Sequence, residues 1–564
     1  MNFDWADPIL TCADARALEA QLFGGNEERE WVAMERAGAG VAAAVQEDFK
    51  EIGGFPAAGR ILVLLGKGHN AGDALLAAAV TLEKYPAASA DVIFVFGERT
   101  LRPLAARAWR RLLETAPRRV RVRSVVPGAS PAPVGASERG SYDLCLDGIF
   151  GFQFHPPIDA AAAAVLRAVN GHPTIRLRAA VDLPSGLGEQ SRDTAFQADF
   201  TYATGSVKMP LLEKRSRETA GRLRYVDLGF FDSIHVGSPL AGDPSASSDV
   251  GSPLAGDPSA SSGVGSPLAG DPSVPSRASA LPTNLVLKPS VLAPLTGLRA
   301  PLSDKRTYGH LFVIGGSRSY PGAVLMCVRA ALRSGAGLVT AFVPETLVPA
   351  FAAGTPEAIW VGWPETPEGG LALDGLHLIR ERLPRATALV MGCGLGSEPE
   401  THTLAGEIVR LAEVPLVLDA DALQPSILAV ARGKRVICLP HAGEFKRLAG
   451  GREAGVAELR VVAHETGAII VLKGPVTRIS DGARVLHSFF GGPVLARGGS
   501  GDLLAGLTGG LLAQAPADPV AAACRGAAWH GLAAGLLARD RGQVAVQVTQ
   551  LLDYLPAALR EAAR

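Results

Sequence analysis

A surplus of charge of either sign is missing from this sequence: 55 Lys and Arg residues balance 55 Asp and Glu residues, for a formal net charge of +0 over 564 residues. Without a basic excess there is no electrostatic footprint for a phosphate backbone, and nucleic acid is excluded as a main partner. Cysteine is scarce too, with six residues (Cys12, Cys145, Cys327, Cys393, Cys438 and Cys524) and no Cys-x-x-Cys pair. That argues against a zinc ribbon or a disulfide framework and fits reduced thiols in a cytoplasm. The opening MNFDWADPIL lacks a basic segment followed by a long apolar one, so no secretory signal is expected. The most lipid-like run, Leu503 to Cys524, is interrupted by Gln514, Pro516, Asp518 and Pro519; it reads as buried helix, and no membrane partner is expected.

What is present is an ordinary globular composition, 48% hydrophobic and 20% charged, on a chain long enough for two large domains. A boundary is visible in the tandem copies VGSPLAGDPSASSD from Val236, VGSPLAGDPSASSG from Val250 and VGSPLAGDPSVPSR from Val264. With one Leu per copy among Gly, Pro, Ser and Asp, this stretch cannot bury enough surface to offset its chain entropy. It reads as a flexible linker over 236–280, a Pro-rich partner-binding tract being the lesser alternative. The spans 1–235 and 281–564 are the expected domains.

On both sides of the linker, apolar runs end in turn or polar residues. ILVLLGKG, DVIFVFGE, DLCLDGIFG, AAVDLPSG and FTYATG precede it; HLFVIGGS, GLVTAFVP, ALVMGCGLG, PLVLDADAL, RVICLPHAGE and AIIVLKGPVT follow it. Helical stretches such as Asp73 to Lys84 and Ala160 to Val169 lie between them, and this alternation predicts an α/β chain with two three-layer αβα domains. Ligands in such sheets bind at the carboxyl ends of the strands, where the Gly, Asp, His and Lys residues gather.

In the C-terminal half, Gly498-Gly499-Ser500-Gly501-Asp502 stands immediately before the helical run LLAGLTGGLLAQ. Small residues at a helix N-terminus let backbone amides approach an anion, and phosphate is the natural guest. Read alone, Asp502 is equally a favourable first-turn acid, Lys473-Gly474 is a common dipeptide, and His441 and Glu444 of PHAGEF are a loop cap and a solvated acid. The order GGSRSYPGA, ALRSGAGLVT, GCGLG, LDADAL, PHAGEF, LKGPVT and GGSGDLLAG over about 290 to 560 resembles the NAD(P)H-hydrate dehydratases of the ribokinase-like superfamily. One departure is Cys393, where that family often has proline. The resemblance implies ADP- or ATP-dependent phosphorylation of the C6 hydroxyl of hydrated NADH or NADPH, followed by loss of phosphate. It implies Asp502 as general base; Ala323, Gly394, Gly396 and His441 with Asp502 against the hydrate; Lys473, Gly474, Pro475, Val476, Thr477 and Gly501 around the adenine nucleotide; and Glu444 ordering Mg²⁺ through water.

In the N-terminal half, GKGHNAGDALLAAAVTL is a glycine-rich turn between a strand and a helix, without the Gly-Lys-Ser/Thr of a Walker loop. By itself it is an ordinary strand–helix turn as readily as a binding loop, and Asp147, Asp182 and Ser185 at other strand ends are each readable as helix caps. MERAG from Met34, GHNAGDA from Gly68, DGIFGFQ from Asp147, DLPSG from Asp182 and Lys208 together resemble the Rossmann-like NAD(P)H-hydrate epimerase domain over about 10 to 230. The resemblance implies K⁺ on Asn70, Asp147 and Ser185; Asn70, Gly72, Asp73, Gly151 and Asp182 against the hydrate; and Asp182 as acid/base for inversion at C6. His69, Ala71, Ala74, Phe152 and Gln153 depart from the family pattern and are expected to add bulk where backbone approaches ligand.

The joint expectation is a bifunctional repair enzyme for hydrated nicotinamide cofactors, acting on small molecules with Mg²⁺, K⁺ and ADP or ATP, and with a homo-oligomer left open. The rival is a small-molecule kinase of the ribokinase superfamily carrying a non-catalytic N-terminal binding module.

Overall fold

A computed structural model describes residues 4–124, 141–189, 194–232 and 283–563. The repeat segment expected as a linker, 236–280, lies outside the described residues. Among those described, the strands form two sheets, and the chain is α/β as its pattern predicts.

The first sheet runs, in spatial order, Val120–Ser124, Ser89–Phe94, Arg60–Leu65, Tyr142–Gly148, Ile175–Val181, Phe200–Thr204 and Arg222–Val226, every neighbouring pair parallel. Such sheets are stable only when both faces are covered, and a single strand shows how. Ile61, Val63 and Leu65 enter one core with Leu75, Ala78, Leu104 and Trp109; the alternate residues Leu62 and Leu64 enter another with Val165 and Leu166. Side chains of period two thus feed two helical layers, each fully buried aliphatic contributing about 1.5–3 kcal/mol.

The second sheet repeats the arrangement. Its order is Ile359–Trp363, Leu338–Pro344, His310–Ile314, Ala388–Met391, Leu416–Leu418, Val436–Cys438, Ile469–Leu472, Thr477–Ser480, Val485–Ser488, Asn284–Leu287, Ala6–Leu10 and Val207–Lys208. Leu311 and Val313 face one core and Phe312 and Ile314 the other. The apolar run expected to be buried helix is two helices, Ser500–Gln514 and Pro519–Arg541, broken at the polar and proline residues noted above. Gly506 and Gly509 let the first of these press inward: an added Cβ would lie 2.0 Å from Cys327 O or 2.1 Å from Val390 Cγ2. That close packing seats the Asp502 end of the helix over the strand ends. Among the described residues no helix is long and apolar enough to cross a membrane.

The two halves are stitched together. Ala6–Leu10 pairs antiparallel with Asn284–Leu287 of the C-terminal sheet and parallel with Val207–Lys208, in register Leu10 to Lys208. Residues 6–10 fall within the 1–235 span assigned to the N-terminal domain, yet they hydrogen-bond into the C-terminal sheet. Arg224 grips Asp48 at 2.7 Å and reaches Phe489 O, and Arg222 binds Glu51 at 2.6 Å and Gly491 O at 2.8 Å.

Candidate functional site

The carboxyl ends of the C-terminal strands converge on Lys473. The backbone of Lys473 follows Ile469–Leu472 and donates to Pro440 O at 2.8 Å, which brings the LKG and PHAGEF segments side by side. Its ammonium lies 2.7 Å from Asp419 Oδ1 and 3.9 Å from Glu444 Oε2. A Cβ on Gly501 would stand 3.2 Å from Lys473 Nζ and 3.6 Å from Asp419 Oδ2, so the helix N-terminus faces this ion pair. Gly499 caps that helix with φ 91°, a left-handed backbone that favours glycine.

Asp502, in the first turn, is half-buried within hydrogen-bonding reach of the Cys393 thiol. Burial, and then the negative charge of Asp419, push its carboxyl up to about 6. Burial alone pulls Lys473 down, but Asp419 and Glu444 outweigh it and hold the ammonium above its usual value. A general base poised near neutrality beside a fixed cation and free amide donors is what activation of a hydroxyl toward a phosphoryl group needs.

The remaining expected residues fall as follows. Gly394, φ 69°, is so close to Tyr320 and Ala323 that an added Cβ would meet Tyr320 O at 2.5 Å and Ala323 Cβ at 3.0 Å. Gly396 N donates to Asp421 Oδ2 at 2.9 Å. Gly474, Pro475 and Val476 turn between Ile469–Leu472 and the strand that opens at Thr477. His441 is itself the N-cap of Ala442–Leu448: its Nδ1 accepts from Gly443 N at 3.0 Å, and Glu444 Oε2 accepts from His441 N at 2.8 Å. The capping interpretation of His441 is therefore true; its side chain is 62% exposed, with Nε2 3.4 Å from Glu444 Oε1.

A second site lies at the strand ends of the N-terminal sheet, around a cavity of about 470 Å³. Asn70, Asp73, Gly151 and Asp182 all line it, together with Lys208, Phe152, Gln153 and His69. Gly72 packs instead against Met34, whose Sδ would lie 2.4 Å from an added Cβ. Lys208 is buried and donates to Asp182 Oδ1 and, at 3.0 Å, to Thr204 O; Phe152 N donates to Asp182 Oδ2 at 3.2 Å. The Phe152 ring stands 5.0 Å from Lys208 Nζ and shields the pair. Burial, with Asp182 and Glu19 nearby, raises the Asp73 carboxyl well above its usual value. The expectation of added bulk is corrected at two positions: Ala71 and Ala74 point into the core and do not line the cavity.

The expected K⁺ donors are brought together. Ser185 N and Oγ bond both Asp147 oxygens at 2.7 and 2.6 Å, Ser185 Oγ is 3.3 Å from Phe150 O, and Asn70 Nδ2 donates to Phe150 O at 2.8 Å. Among the described residues, buried Asn70 Oδ1 has no hydrogen-bond partner. The Asp147 carboxyl is pushed up to about 6 by burial, against the pull of Ser185. Among the described residues, the two non-glycines with left-handed backbone are Asp182 (φ 64°) and Ala420 (φ 46°), one at each site. Such strain costs of order 1–3 kcal/mol and collects where function holds it.

Sequence reasoning missed Asp419, although the signal existed: it is the acid that ends the LDADAL strand. It also missed Glu19, which no motif marks.

Family models match in two places, one described as NAD(P)H-hydrate dehydratase over residues 311–557 and one as YjeF-related protein N-terminus over residues 31–209. The bifunctional NAD(P)H-hydrate repair enzyme Nnr of Moorella thermoacetica is 32% identical over 553 residues, 94% of this chain and 92% of that protein. The chain belongs to the bifunctional NAD(P)H-hydrate repair enzymes. A second member, from Gloeobacter violaceus, is 33% identical over 97% of both chains. The solved ADP/ATP-dependent NAD(P)H-hydrate dehydratase from Bacillus subtilis, co-crystallized with ATP/Mg²⁺, is 28% identical over 47% of this chain and 94% of that chain, with a TM-score of 0.41. The family's two modules thus fall on the two sites described above.

Proposed function

We propose that the protein repairs hydrated NADH and NADPH: the N-terminal module, within 1–235, interconverts the C6 epimers, and the C-terminal module, within 281–564, dehydrates the S epimer at the expense of ADP or ATP. The observation that carries the dehydratase reading is the half-buried Asp502 carboxyl at a glycine-rich helix mouth, beside Lys473, Asp419 and Cys393. Asp502 takes the proton of the C6 hydroxyl as its oxygen attacks the terminal phosphoryl group. The Gly499 and Gly501 amides and Lys473 stabilise the charge on that group, and Thr477 with Gly474 to Val476 bounds the nucleotide. The lone pair on the ring nitrogen then expels phosphate from C6, and loss of the C5 proton restores the reduced nicotinamide.

Mg²⁺ would neutralise the polyphosphate charge. Glu444, whose Oε2 already accepts from His441 N, would help to order it through water. K⁺ would sit on Asn70 Oδ1, Ser185 Oγ and Asp147 and fix the loop that presents Asp182. Six free cysteines support a cytoplasmic setting.

The test is incubation of both epimers with ADP or ATP and Mg²⁺, followed by chromatography. Recovery of reduced-nicotinamide absorbance from both epimers is expected. A stable phosphorylated product would sink the dehydratase reading in favour of a kinase, and recovery from one epimer alone would leave the N-terminal module a scaffold.

A further inference from the structure

Inversion at C6 of a hydrated nicotinamide has a stereochemical requirement. The hydroxyl must leave as water from one face of the ring while water adds to the other, so one group has to donate a proton and a second, on the opposite side, has to accept one. Asp182 can serve one face only.

The cavity holds a candidate for the other. Helix Cys12–Phe23 presents Arg16, Glu19, Ala20 and Phe23 to it, the i, i+3, i+4, i+7 spacing of a single helical face. Asp182, Lys208 and Asn70 reach the cavity from the sheet side, from a strand end, a short edge strand and the start of helix His69–Lys84. The helix is held in place at its N-terminus. Strand Ala6–Leu10, immediately before it, is in register with Lys208, and Cys12 N donates to Glu189 Oε1 at 2.8 Å. Among the described residues, no hydrogen bond or salt bridge ties up the Glu19 carboxyl, although Lys208 and Asp182 are near enough to act on it electrostatically. Asp73, on the helix that carries Asn70, is a third carboxyl at the cavity and feels the charges of both Asp182 and Glu19.

We propose that Glu19 is the second acid–base residue of the epimerase site, acting on the face of C6 opposite Asp182. This rests on the epimerase reading of the cavity. In one direction the ring-nitrogen lone pair forms the N=C6 bond as the C6–O bond breaks, and the Glu19 carboxyl proton leaves with the hydroxyl as water. Water then adds to the Asp182 face, its proton passes to the Asp182 carboxylate, and the N=C6 π pair returns to nitrogen. The reverse direction uses protonated Asp182 and Glu19 carboxylate, and exchange with solvent through the cavity mouth resets either state. Burial pushes the Glu19 carboxyl up to about 7, so both of its protonation states are accessible near neutrality.

The test compares full-length wild type with Glu19→Gln, Glu19→Asp and Asp182→Asn, following epimer interconversion and ¹⁸O uptake from labelled water into each epimer. Dehydratase turnover on the same chain is the folding control. Glu19→Gln should lose inversion by about 100-fold or more while retaining ¹⁸O exchange into one epimer, served from the Asp182 side alone. Asp182→Asn should show the mirror pattern, and Glu19→Asp should recover part of the inversion. Wild-type inversion in Glu19→Gln, or equal loss of inversion and of exchange into both epimers with turnover intact, would overturn the assignment. A wild-type chain that inverts nothing would instead bring down the epimerase reading itself, and the assignment with it.

Discussion

Lys473 and Asp419 form an ion pair of 2.7 Å between two strand ends, with the Gly501 backbone directly against it. Because Asp419 is also the charge that, after burial, most raises Asp502, this pair tunes the base as well as holding the cation.

Replacing Asp419 by Asn should therefore lower the Asp502 pKa. It removes a like charge and frees Lys473 to act on Asp502, and the rising limb of the dehydratase pH–rate profile should move below about 6. Lys473→Met should move it the other way and also weaken nucleotide binding. A profile unchanged in both variants would remove the coupling.

Asp502→Asn should abolish turnover, by about 10²–10⁴-fold, while nucleotide binding followed by calorimetry stays close to wild type. Stability should move oppositely to activity. Burial and Asp419 push the folded-state carboxyl up to about 6, above the usual 3.8 of an aspartate, so the native state binds the extra proton between those values, and ionisation above about 6 disfavours the fold. The Asn variant should thus have a higher Tm than wild type at pH 8, with the difference fading toward pH 4. A lower Tm for the variant at pH 8 would contradict this.

The buried Lys208–Asp182 pair makes a contrasting prediction. Lys208→Met strands a carboxylate in an apolar site beside Phe152 and should cost about 3–5 kcal/mol in chemical denaturation of the N-terminal module. The double variant Asp182→Leu with Lys208→Met should recover much of that stability, without epimerase activity. Equal destabilisation of single and double variants would show that the charges are not coupled.

His441 caps a helix and, on the proposed reading, contacts the hydrate; two substitutions separate these roles. His441→Asn preserves an N-cap acceptor and should raise KM for the hydrate with little loss of stability. His441→Ala should add about 1 kcal/mol of destabilisation to the same KM effect. An Asn variant with wild-type KM would confine His441 to capping.

The strands, the helix N-terminus at Asp502 and the oxygen donors around Asn70 were legible because each is a local pattern: alternating aliphatic residues, a turn, then a polar residue at a strand end. Ala71 and Ala74 were harder. Their neighbours in the sequence line the cavity, but the helix turns these two side chains into the core.

By itself the sequence determined the α/β class, the polar residues gathered at the strand ends and the pairing of epimerase-like with dehydratase-like motifs, since these depend on residues close together along the chain. Only the tertiary structure decided that burial and the charge of Asp419 raise the Asp502 carboxyl, that strand Ala6–Leu10 binds the C-terminal sheet, and that Glu19 meets the cavity of Asp182. Charge coupling acts through space between residues remote in sequence, and an edge strand pairs through backbone groups that every sequence shares, so neither leaves a local signature.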